Sequence, residues 1–99
     1  MANEPVNSDS NSKLELLVFE NNWCAQCYTQ RPIINALRTE YLEQIDVKTF
    51  NVEEEPKVSA DYNIKSAPSI IVKKNEKVVE RIPRFIDKEQ LETIIRYYL

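Results

Sequence analysis

Leu14-Glu15-Leu16-Leu17-Val18-Phe19 holds too many apolar residues in succession for a strand with one wet face. The pattern predicts a strand over Lys13–Phe19, central in its sheet and covered on both sides. From Ala25 to about Tyr41 the spacing changes: Cys27, Ile33 or Ile34, Leu37 and Tyr41 recur at three or four, as on one face of a helix. Pro32 falls inside that helix and should bend it. Ile45–Val52 reads as a second strand, parallel to the first, with Val47, Phe50 and Val52 inward. Pro56–Tyr62 is a short helix opened by proline, with Asn63 as a left-handed cap. Ser69–Lys73 and Lys77–Ile82 form a hairpin through Lys74-Asn75-Glu76. The last helix opens on a capping box, Asp87-Lys88-Glu89-Gln90, with Ile86 and Leu91 as its staple. Its apolar stripe is Leu91, Ile94, Ile95 and Tyr98.

The order is β-α-β-α-β-β-α. Two parallel strands joined by a helix, then an antiparallel hairpin, predict an α/β domain with a four-stranded mixed sheet and helices on both faces. Residues 13–99 make up this domain. Residues 1–12 are polar and read as a flexible arm, with a short helical turn near Pro5 as the alternative.

Composition narrows the function classes. The 99 residues are enough for one modest core. The net charge is −3, with no basic stripe, which argues against nucleic acid as a partner. No apolar run approaches the length of a membrane span. The start of the chain lacks the basic and apolar regions of a secretory signal, so a cytoplasmic location is the expectation. Glycine is absent, where average usage would give about seven. Every turn needing a positive φ must therefore accept a residue with a Cβ. Histidine is absent too, which removes the usual acid–base side chain and the commonest zinc ligand. No cofactor or metal is expected of one chain, since two thiols do not close a tetrahedral zinc site.

Those two thiols carry the candidate chemistry. Trp23-Cys24-Ala25-Gln26-Cys27 follows the first strand directly and opens the first long helix. A cysteine there meets unpaired amide N–H groups and the positive end of the helix dipole, and both favour a thiolate. The second cysteine is one helical turn on, within bonding reach. An isolated C-x-x-C is weak evidence, but its place after a strand points to disulfide exchange.

With these residues in view, the chain resembles the thioredoxin family over about residues 13–99. The shared features are Trp23 before the C-x-x-C, Pro32 five residues after Cys27, and Pro56, Tyr62 and Ile64 around the short helix. Ile64-Lys65-Ser66-Ala67-Pro68-Ser69 matches the stretch holding the family's cis-proline, and agreement continues to Gln90-Leu91. The resemblance implies a thiol–disulfide oxidoreductase reducing protein disulfides, with Cys24 attacking and Cys27 resolving. It implies Pro68 in the cis form beside the disulfide, the backbone of Ala67 pairing with an extended substrate, and Trp23 shielding the thiol. It also implies a flavoprotein or other thiol reductase as electron donor and a monomeric protein. Read without the family, Pro68 would be an ordinary trans proline beginning a strand.

The departures are specific. The chain begins too late for the family's usual first strand and full first helix. Val18 and Thr49 occupy the positions of its buried aspartate and lysine. Glu20 stands where it has an aromatic residue, and Arg84 where a glycine helps line its substrate groove. Glu20 and Arg84 are either solvated surface charges or rim charges that set partner preference. Val18 leaves Cys27 without an evident base, so resolution should be slow near neutral pH. A redox-sensitive binding module with weak turnover is the competing reading. A metal site pooling four thiols from two chains is a third.

Overall fold

The computed structural model describes residues 13–99. Strand β1 (Leu14–Glu20) lies inside a four-stranded sheet ordered β2-β1-β3-β4, with β2 spanning Ile45–Asn51, β3 Ser69–Lys74 and β4 Lys77–Ile82. β1 runs parallel to β2 and antiparallel to β3, which is antiparallel to β4. Helix α1 (Ala25–Glu40) joins the parallel pair, α2 (Pro56–Asp61) connects β2 to β3, and α3 (Lys88–Tyr98) ends the chain. The flexible arm expected at 1–12 and the shortened start of the fold lie outside the described residues. No helix among the described residues is long and apolar enough to cross a membrane.

The unbroken apolar run of β1 is explained by two cores. Leu14, Leu16 and Val18 face α1 and α3, where they meet Ile34, Leu37, Ile70, Val72, Leu91 and Ile95. Leu17 and Phe19 face the other way, toward Ile71, Val58 and Tyr62, and Phe19 stacks on Phe50 at 5.3 Å between ring centroids. β2, an edge strand, divides its apolar residues between these faces: Ile45 and Val47 pack with the first core and Phe50 with the second, which Val52 joins from just past the strand's end. They are inward on opposite sides, as the two-residue period of a strand requires.

The local signals act at the element ends. Asp87 caps α3, its Oδ1 accepting from the Gln90 N–H at 2.9 Å. Ile86 and Leu91 are both buried beside it. α1 continues through Pro32, whose missing N–H leaves the Tyr28 carbonyl without its helical donor. Asn63 has φ 57°, the left-handed conformation expected after α2.

The hairpin turn is tighter than the three residues read from the sequence. Lys74 and Lys77 are paired, so only Asn75 and Glu76 turn the chain, at φ 52° and 69°. Such a turn matches the twist of its strands but needs positive φ at both positions, and glutamate is poorly suited to it. Glu76→Gly should therefore stabilise the protein by about 1 kcal/mol, seen as a melting temperature higher by roughly 4–8 °C. An unchanged or lower melting temperature would contradict this reading of the turn.

Candidate active site

The end of β1 delivers the chain to the mouth of α1 in four residues. Trp23 takes φ 57°, a sparsely populated conformation for a bulky residue, and its side chain is fully exposed. Cys24 follows as the helix N-cap. Its Sγ accepts from the Cys27 N–H at 3.1 Å, the position that a capping oxygen fills elsewhere. The same N–H and the helix dipole would stabilise a thiolate at that sulfur. Cys24 is partly exposed, Cys27 is 2% exposed, and the two are joined as a disulfide with their Cα atoms 5.2 Å apart. The outer sulfur is therefore open to solvent and the inner one is buried.

The Ala67–Pro68 peptide bond is cis. Pro68 is buried, and its ring lines a cleft together with Cys27. The Ala67 carbonyl oxygen lies 3.8 Å from Cys24 Sγ, so the backbone before the proline borders the outer sulfur of the pair. Ser66 Oγ donates to the Pro83 carbonyl at 3.3 Å, bringing the loop after β4 beside this segment. Arg84 is exposed in that loop.

Behind the disulfide, Val18 and Thr49 are direct partners in the β1–β2 ladder, and both line the cleft of about 180 Å³ that reaches Cys27. Val18 is 6% exposed. Glu20 lines the same cleft and is paired to Arg31 of α1 at 2.7 Å. It is a cleft residue with a fixed partner, where sequence alone left it open as a solvated charge.

Two residues of this region escaped the sequence reading. Arg31 carried no signal, because its partner Glu20 is eleven positions away on another element. Gln30 did carry one: Cys27, Gln30, Ile34 and Leu37 are the buried positions of α1, so a polar side chain sits on the apolar stripe. Its amide clamps the residue before the α3 cap, donating to the Ile86 carbonyl at 2.9 Å and accepting from the Ile86 N–H at 3.0 Å. This fixes the Pro83–Ile86 loop against the active-site helix. Gln30→Leu would leave two buried backbone groups unpaired and should cost about 2 kcal/mol or more. Urea unfolding would measure it, and a loss below about 0.5 kcal/mol would show that the clamp contributes nothing of note.

Comparison with known proteins agrees with this geometry. The Thioredoxin family model matches residues 3–97, reaching ahead of Lys13, where the motif resemblance began. The chain belongs to the thioredoxin family. Thioredoxin of Staphylococcus epidermidis is 31% identical over 98 residues, covering 95% of this chain and 94% of that protein. Thioredoxin of Porphyra purpurea is 30% identical over 90 residues, covering 90% of this chain and 84% of that protein. Among solved structures, Fasciola hepatica thioredoxin superposes with a TM-score of 0.83 at 21% identity, covering 97% of this chain and 90% of that one. Thioredoxin-2 of the malaria parasite, described as a component of protein secretion machinery, gives 0.83 at 24% identity over 86% and 82%. These structures share the fold. With family, C-x-x-C pair and curated relatives in agreement, the protein is a thiol–disulfide oxidoreductase.

Proposed function

We propose that the protein reduces protein disulfides, with Cys24 as nucleophile and Cys27 as resolving thiol. The observation that carries the reading is the asymmetry of the pair: Cys24 caps the helix and is partly exposed, while Cys27 is buried one turn behind it. The Cys24 thiolate attacks one sulfur of a substrate disulfide and expels the other as a thiolate. Cys27, deprotonated, then attacks Cys24 Sγ, forming the Cys24–Cys27 bond and releasing the second substrate sulfur. The substrate gains two electrons and the cysteine pair loses them. A thiol reductase, flavin-dependent or otherwise, would return the pair to the dithiol in a reducing compartment such as the cytoplasm. The Ala67 backbone supports strand-like pairing with an extended segment, and exposed Trp23 and Tyr28 offer it an apolar surface. Both cysteines of the site come from one chain, and we read the working form as a monomer.

The test is turnover. With insulin as a model protein disulfide and dithiothreitol as electron source, catalytic amounts of the protein should accelerate reduction well above the dithiothreitol rate. A rate equal to that background would instead favour a binding module whose disulfide acts as a switch.

A further inference from the structure

Val18 supplies no carboxylate behind the disulfide, yet the cleft it lines also holds Glu20. Residues two apart on a strand project to the same face, so Glu20 stands on the Val18 side of β1, one pleat or roughly 7 Å nearer the mouth of α1. Glu20 is the only carboxylate among the described residues lining the cleft that reaches Cys27. Its side chain is 17% exposed, and Arg31 holds it through a single oxygen: Nε donates to Oε1 at 2.8 Å and Nη2 lies 2.7 Å from the same atom. The cleft, at about 180 Å³, has room for water, and Thr49, Asn35 and Glu20 supply polar partners for it. The other charged or titratable groups lining it are Cys27, Arg31 and Arg38. β2 contributes uncharged Thr49, and the segment entering β3 contributes Pro68.

We propose that Glu20 is the proton acceptor for Cys27, acting through a water in this cleft, so that the acid–base group sits one pleat along β1 from Val18. The inference rests on the reductase reading above. In the resolving step the Cys27 S–H proton passes by way of water to the Glu20 carboxylate. The Cys27 thiolate forms the bond to Cys24 Sγ, and the bond from Cys24 to the substrate breaks. The substrate sulfur leaves as a thiolate and is protonated by solvent. The carboxylic acid then returns its proton to bulk water. Arg31 is paired with the carboxylate through one of its oxygens and takes no part in the transfer.

The experiment follows both exchange steps by acid quench and mass spectrometry, using the reduced full-length chain and oxidised glutathione at pH 6–9. Glu20→Gln should leave the first step, formation of the glutathione adduct on Cys24, unchanged. It should slow loss of the adduct about 10- to 100-fold at pH 6–7, with the difference closing toward pH 9 as Cys27 ionises without help. Arg31→Met, which keeps the carboxylate, should change resolution less than about threefold at any pH by the same reasoning. Glu20→Gln resolving like wild type at every pH would overturn the inference. So would a slowing of equal size at pH 6 and pH 9, or an Arg31→Met profile matching that of Glu20→Gln, since either would reduce Glu20 to one half of a structural ion pair. Wild-type protein that forms neither the adduct nor the Cys24–Cys27 disulfide would overturn the reductase reading and this inference together, an outcome distinct from the other three.

Discussion

Replacing Cys24 with serine should lower disulfide turnover by about a thousandfold or more, to the uncatalysed background. A serine hydroxyl can keep the capping bond to the Cys27 N–H, so the fold should survive the change. What it cannot do is ionise near neutral pH and displace a thiolate from sulfur. Cys27 cannot substitute, because it is 2% exposed and lies behind the residue it would have to replace. The counterpart, Cys27→Ser, should retain the first attack and stop there, accumulating protein covalently joined to substrate. Insulin reduction by the two variants, with melting curves alongside, separates chemistry from stability. Turnover by Cys24→Ser within about tenfold of wild type would mean that the nucleophile is misassigned.

Val18→Asp should cost roughly 2–5 kcal/mol of stability at pH 7, because an ionisable group replaces methyls packed in the main core. Thr49, its ladder partner, offers no positive charge to offset the desolvation. Burial disfavours the carboxylate and so raises the pKa of this introduced acid in the folded state above its unfolded value. The folded state then binds more protons, and stability falls as pH rises through the interval between those two values. The penalty should be smaller at pH 4 than at pH 8. Its kinetic effect depends on Glu20. While Glu20 serves Cys27, a second acid in the cleft should add little, but Val18→Asp should restore resolution to the Glu20→Gln protein. Urea unfolding at the two pH values gives the first quantity and quenched adduct kinetics the second. A cost below about 1 kcal/mol, or no dependence on pH, would show that the position is wetter than its burial indicates.

Much of this molecule was legible in its residues. The apolar run of β1 announced a strand between two cores, and Asn63 and Asp87 marked element ends because their side chains act on the backbone nearby. Cys24 and Cys27 were readable for the same reason, since their chemistry depends on a helix end and a three-residue spacing. Features that depend on chain segments meeting in space were not. The Glu20–Arg31 pair and the Gln30 clamp on Ile86 join distant positions through side chains that, in sequence, suggest only polarity. The hairpin shows a different limit. Glu76 at φ 69° contradicts its own preference, and strand register prevails because slipping by one residue would turn the buried positions of β3 to the wrong face.

The most direct test of the account is to locate the covalent intermediate. Full-length Cys27→Ser protein would be mixed with a disulfide substrate, quenched in acid and mapped by peptide mass. The substrate should be found on Cys24, in near-stoichiometric amount, and should be released by dithiothreitol. An absence of adduct under conditions where wild type turns over would contradict the two-step exchange. So would an adduct that forms as fast on Cys27 of the Cys24→Ser protein, because a buried resolving thiol has no access to an incoming disulfide.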